Sequence, residues 1–199
     1  MGAGGHVRGD YSKIPHACAA LLIGFGPLSP QKGLSPSDSW DLRSELALDR
    51  ERPRPNWSQI PPDKHCVYVI YCDGGGMPDF KEVSNGGSFK KHSPTVPVGT
   101  LKDAWVDGAF LLNVGETHGT TMNLRKRIKR YIRCGLGKAT GHYGGRYAWQ
   151  LPDDMQDDLL VAWKWEGVED PQELEVSIAR AFRAQHSGKY PFAFVERKK

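Results

Sequence analysis

From Cys66 to Cys72 the chain reads Cys-Val-Tyr-Val-Ile-Tyr-Cys, apolar or aromatic at every position. A strand with one wet face alternates polar and apolar side chains; a run without alternation reads as a strand buried on both faces. Gly74-Gly75-Gly76 punctuates it on one side and Pro61-Pro62 on the other. A fold built on such a strand needs packing layers above and below it.

The rest of the chain can supply them. At 199 residues it is long enough for one ordinary domain with a real core. Its 39% hydrophobic and 25% charged residues are those of a soluble globular protein and exclude a disordered one. A net charge of +4 is modest, but its distribution is not. Between Arg125 and Arg146 lie Lys126, Arg127, Lys129, Arg130, Arg133 and Lys138 with no acidic residue among them. Such a segment attracts phosphate wherever it folds.

Cys18, Cys66, Cys72 and Cys134 form neither a CxxC pair nor a cysteine–histidine cluster, which argues against structural zinc. Free thiols in a reducing cytoplasm are the expectation, and the protein is read as cytoplasmic. The apolar run Ala17 to Phe25, after Arg8 and Lys13, loosely imitates a signal peptide. It has no clear small-residue cleavage site and is too short to span a bilayer, so no membrane partner is expected.

Residues 1–37, rich in Gly, Pro and Ser, read as a flexible arm. Residues 38–63 form a lead-in, with a short helix over Ser39 to Leu48 stopped by Pro53 and Pro55, and with Trp57 and Ile60 packing on the core. The main domain occupies 64–199. Residues 73–104, with two glycine clusters and several prolines, read as a long inserted loop, a length that usually signals function. A second strand is predicted near Ala109 to Gly115. A helix follows from about Met122 to Arg133, with an apolar stripe of Leu124, Ile128 and Ile132 and with Gly135 as its stop. Leu159 to Trp165 is a third strand. The last helix has Asp170 as N-cap, Pro171 at its first position and Glu173 completing a capping box, and runs to about His186. The predicted fold class is a small α/β (α+β) domain: a three-stranded, mainly antiparallel sheet flanked by helices.

Four features carry chemistry. On a helical wheel Arg127 borders the apolar stripe and Arg125 lies near its other edge, while Lys126 and Arg130 point outward. In the last helix Glu175 projects inside the apolar arc of Leu174, Ile178, Ala179, Ala181 and Phe182, whereas Glu173 projects away. An uncompensated carboxylate there costs roughly several kcal/mol, so it needs a cation or a salt bridge, for which Arg127 is a candidate. The stretch Gly141-His142-Tyr143-Gly144-Gly145-Arg146-Tyr147-Ala148-Trp149-Gln150 mixes basic, aromatic and flexible residues as a loop tracking nucleic-acid backbone does. Gln150 or Arg146 can read a base edge from it; Trp149 reads better as a core anchor. His118 follows the second strand as an exposed loop histidine.

Cys66-Val67-Tyr68, then Asn113-Val114-Gly115, then Asn123-Leu124-Arg125-Lys126-Arg127-Ile128, resemble in order the two signatures and the arginine helix of the GIY-YIG nuclease domain. The third is similar to the helix of excision-repair members, where an arginine follows the Asn-Leu pair. The resemblance covers about residues 64 to 191. It implies that Tyr68 helps deprotonate the attacking water, a role open to a phenol only if cations and a metal nearby favour phenolate. It implies that Arg127, four residues beyond Asn123, holds the scissile phosphate. Tyr131 would contact the phosphate or the nucleophile, and Glu175 would be the single ligand of Mg²⁺ or Mn²⁺.

The chain departs from the family pattern in three places, one being that Glu175 lies about one helical turn further than expected from the stretch after the last helix. Asn113 replaces the second signature tyrosine and can only orient water or phosphate, and Lys189-Tyr190-Pro191-Phe192 stands where an asparagine is usual. His118 is a substitute proton acceptor. The implied activity is a metal-dependent endonuclease of restriction or mobile-element type acting on DNA, with RNA as a further candidate substrate. Arg125, Lys129, Arg130, Arg133, Lys138, His142 and Arg146 would contact the nucleic acid. With one site per chain, cutting both strands needs a homodimer or two encounters. The alternative is a nucleic-acid-binding module of the same fold that does not cut.

Overall fold

The computed structural model describes residues 39–41, 65–72, 75–90, 92–118, 121–140, 143–157, 159–164 and 168–195. Strand β1 is Ser39–Asp41, β2 is Cys66–Tyr71, helix α1 is Val98–Ala104 and β3 is Leu111–Thr117. Helices α2, α3 and α4 are Leu124–Gly135, Tyr143–Ala148 and Asp153–Asp157, β4 is Leu160–Lys164 and α5 is Pro171–Gln185. The architecture is mixed α/β. β2 lies between β3 and β4 and pairs antiparallel with both, and helices flank the sheet.

β2 is covered on both faces, as its unbroken apolar sequence requires. Cys66, Tyr68 and Ile70 pack with Leu124, Ile128, Tyr131 and Ile132 of α2, and with Leu101, Trp105, Trp149 and Phe192. Val67 and Val69 turn the other way, onto Val114, Ala162, and Ile178 and Ala179 of α5. A register shift between Ile70 and Tyr71 leaves Leu112 unpaired in β3 and sends it into the larger cluster.

Helix boundaries follow side-chain chemistry. The Asn123 side chain caps α2 by accepting from Lys126 N at 3.0 Å. Asp170 caps α5 by accepting from Gln172 N at 2.8 Å and Glu173 N at 3.1 Å. The expected stop of α2 at Gly135 is displaced: the left-handed residue is Gly137, at φ 73°, whose N–H bonds Cys134 O at 2.9 Å. Gly135 stays helical because Trp149 packs on it; a Cβ there would meet Trp149 Cε2 at 2.6 Å.

Three further expectations are corrected. Ser39–Asp41 is not helical but pairs antiparallel with β4, as a fourth strand at the sheet edge. The exposed ladder of β4 offers hydrogen bonds that outweigh a short segment's helix preference. The other lead-in residues expected to be helical or to pack, Trp57 and Ile60 among them, lie outside the described residues, as does the 1–37 arm. Residues 73–104 are not merely a loop: they contain α1 and bury Phe80, Val96 and Leu101 in the main core. Phe80 stacks on Phe192 with centroids 5.5 Å apart. Finally, much of the 141–150 stretch is helix α3 and a turn packed on α2. Gln150 is fully buried, accepting from Val96 N at 2.6 Å and donating to Lys81 O and Val96 O at 3.0 and 2.9 Å. A side chain so engaged cannot read a base edge.

Candidate active site

Tyr68 on β2 is the register partner of Gly115 on β3. Its ring lies across the glycine, close enough that any Cβ at 115 would overlap the phenol. The glycine of Asn113-Val114-Gly115 therefore gives an aromatic ring passage across an edge strand. At the far side the Tyr68 hydroxyl accepts a hydrogen bond from Arg127 Nε at 3.3 Å. Arg127 reaches it from α2, where the wheel placed it beside the buried stripe, and it is half-buried.

Two carboxylates act on this pair. Glu175, on α5, is 8% exposed among Ile178, Ala179 and Phe182, as its place in the apolar arc predicts. Glu116, on β3, is 5% exposed. Both act electrostatically on the Tyr68 hydroxyl and on the Arg127 guanidinium. Glu116 was missed by sequence reasoning although a signal existed. It shares a strand face with Val114, and so is a carboxylate on an apolar face in the same sense as Glu175.

The electrostatics of the protein alone act on Tyr68 in opposing directions. Burial pushes the phenol's pKa above its ordinary value of 10.0; the Arg127 charge and hydrogen bond pull it down, and Glu175 and Glu116 push it up again. Burial outweighs the arginine and holds the phenol above its ordinary value. Arg127 in turn is held above its ordinary pKa, first by Tyr68, against the opposing effect of its burial; Glu116 and Glu175 add to the rise.

The role expected of Tyr131 is corrected. It is 0% exposed, its ring 5.0 Å from that of Trp149, and burial first, then Tyr68, Cys134 and Cys72, drives its pKa well up. Enclosed in this way, it touches neither phosphate nor nucleophile. Asn113 is buried opposite Ile70, two residues before Gly115. His118 joins the cluster through Glu116, with Nε2 to Oε2 at 3.1 Å.

Of the expected nucleic-acid contacts, Lys129, Arg130, Arg133 and Lys138 are exposed on α2 and just beyond it, and Arg125 is half-buried. Arg146 is half-buried and donates from Nε to Pro94 O at 3.5 Å, and His142 lies outside the described residues. Among the described residues no group of three or more His, Cys, Asp or Glu is arranged around a metal position. Glu175 and Glu116 are the buried carboxylates near the Tyr68–Arg127 pair, and Mg²⁺ binds in general through one or two carboxylates plus substrate phosphate and water. Cys66, Cys72 and Cys134 are buried cysteines outside any disulfide, and no helix among the described residues is long and apolar enough to cross a membrane. No protein-family model, curated protein or solved structure matches this chain.

Proposed function

We propose that the protein is a divalent-metal-dependent endonuclease that hydrolyses phosphodiester bonds in DNA, of the GIY-YIG type that its motifs resemble. One observation carries this reading. Tyr68 of β2 is bonded to Arg127 of α2, the buried carboxylates Glu116 of β3 and Glu175 of α5 act electrostatically on both, and exposed cations lie along α2. In a purely structural cluster, burying two carboxylates against one guanidinium and a phenol is costly. A site for a phosphate and a cation gives the arrangement a purpose.

In the proposed mechanism Lys129, Arg130, Arg133 and Lys138 draw the backbone to α2. Arg127 gives its Nε–H to Tyr68, which aims the guanidinium and leaves its terminal N–H groups for the scissile phosphate. Tyr68 positions the arginine and takes no proton from water. Glu175, with phosphate and water, would hold Mg²⁺ or Mn²⁺, and the bound ion would supply charge stabilisation to the transition state. One site per chain implies a homodimer or two encounters for a double-strand cut.

The test is nicking of supercoiled plasmid with and without Mg²⁺, comparing wild type with Glu175→Ala and adding an RNA competitor. Metal-dependent nicking lost in the variant is the expected outcome. The second reading, a binding module that does not cut, is favoured by the sealed phenol of Tyr68. Salt-sensitive DNA binding with no nicking on varied DNA would select it, and preferential RNA cleavage would change the substrate.

A further inference from the structure

We propose that Glu116 and His118 form a proton-accepting pair at the end of β3, next in the chain to the Gly115 that Tyr68 crosses, in which Glu116 orients the imidazole and His118 takes the proton of the attacking water. The proposal deepens the nuclease reading and rests on it. In that reading Tyr68 is buried and bonded to Arg127, Tyr131 is enclosed, Arg127 is a cation, and Glu175 is the candidate metal ligand, which leaves the role of base to another group. His118 combines accessibility, at 54% side-chain exposure, with a ring nitrogen tied to the cluster.

The tie sets the tautomer. An ionised carboxylate only accepts hydrogen bonds, so the His118 Nε2 facing Glu116 Oε2 at 3.1 Å must carry the hydrogen. In a neutral imidazole Nδ1 is then left with a lone pair. The ring of His65 approaches His118 edge-on, with centroids 6.0 Å apart. An ordinary surface ion pair would place both partners in water, where it contributes little. Here the carboxylate is buried on β3, directly after the glycine that Tyr68 crosses, and it acts on Arg127 as well. Glu116 thus links the phosphate-holding cation to the imidazole. It is a positioning residue, and His118 is the group that meets the water.

In the step itself, water oxygen attacks phosphorus while its proton passes to His118 Nδ1. The bond from phosphorus to the leaving sugar oxygen breaks, and that oxygen keeps the electron pair and takes a proton from solvent. The imidazolium returns its proton to bulk water. The products are a phosphate monoester and a free hydroxyl.

The experiment uses the full chain, Mg²⁺ and supercoiled plasmid. His118→Ala should lower nicking about a hundredfold or more, as loss of a general base does, and added imidazole should restore part of it. Glu116→Gln, nearly isosteric, offers an amide donor to Nε2 and should lower kcat with little change in KM. Nitrogen-15 NMR of the resting protein should show the Nε2–H tautomer of His118 in wild type and its loss in Glu116→Gln. Full activity of His118→Ala, no rescue by imidazole, or an Nδ1–H tautomer in wild type would each overturn the proposal and leave the nuclease reading standing. A wild type that nicks nothing removes both.

Discussion

Tyr68 and Gly115 face each other across β2 and β3, and the phenol ring fills the space that any side chain at 115 would need. The glycine is thereby tied to the arginine, because the ring crossing it presents its hydroxyl to Arg127 Nε at 3.3 Å. Gly115→Ala should therefore displace the ring, destabilising the fold by about 1–3 kcal/mol, as overpacking does. Urea denaturation measures the loss. Combining Gly115→Ala with Tyr68→Ala should cost less than the sum of the two, because the second change makes room for the first.

Tyr68→Phe separates a positioning role from a proton-accepting one. Removing the hydroxyl takes one acceptor from a half-buried guanidinium that water can still reach, at a cost of about 1–2 kcal/mol. Nicking should fall about tenfold, whereas loss of a general base typically costs a factor of about 10²–10⁴. A fall in the larger range would restore Tyr68 as the base.

Stability should decline on the alkaline side, and the sign follows from the raised phenols. Tyr68 and Tyr131 hold their protons more tightly folded than unfolded, each pushed above 10.0 chiefly by burial. Below the ordinary phenol value both states are protonated and the contribution is complete. As pH rises past it the unfolded chain loses protons first, and stability falls until the folded values are passed. Cys66 and Cys134, also raised by burial, from 9.0, add a loss of the same sign that begins lower. Urea midpoints between about pH 8 and pH 11 should fall steadily, with a shallower slope in Tyr131→Phe.

The exposed cations of α2 and the buried amide of Gln150 should respond in opposite ways. Lys129→Ala with Arg133→Ala should weaken binding across DNA sequences and reduce the salt slope by about 0.9 for each phosphate no longer neutralised. Stability should hardly change. Gln150→Leu should leave the Val96 N–H and its neighbouring carbonyls without their partner, costing at least about 1–3 kcal/mol, with the DNA cleavage pattern unaltered. A changed pattern would return Gln150 to base recognition.

The sequence by itself determined the framework. A strand without a polar position had to be central, a stripe at Leu124, Ile128 and Ile132 had to be a helix face, and Asp170 with Pro171 had to open a helix. These are local rules, set by side-chain period and capping, and they needed no partner to be read. The same period placed Arg127 beside the stripe and Glu175 inside the apolar arc. Tertiary structure decided what each group can do there. Whether Tyr68 ionises depends on how completely it is buried, and Tyr131 is closed off by Trp149 from a distant segment. Gln150 is drawn inward by Val96 and Lys81. Ser39–Asp41 became a strand because β4 offered it an unpaired edge. Glu116 gained its importance from neighbours on β2, α2 and α5 that lie near it only after folding. Burial and electrostatic coupling depend on distances between segments far apart in the chain, and only the packed sheet and helices set those distances.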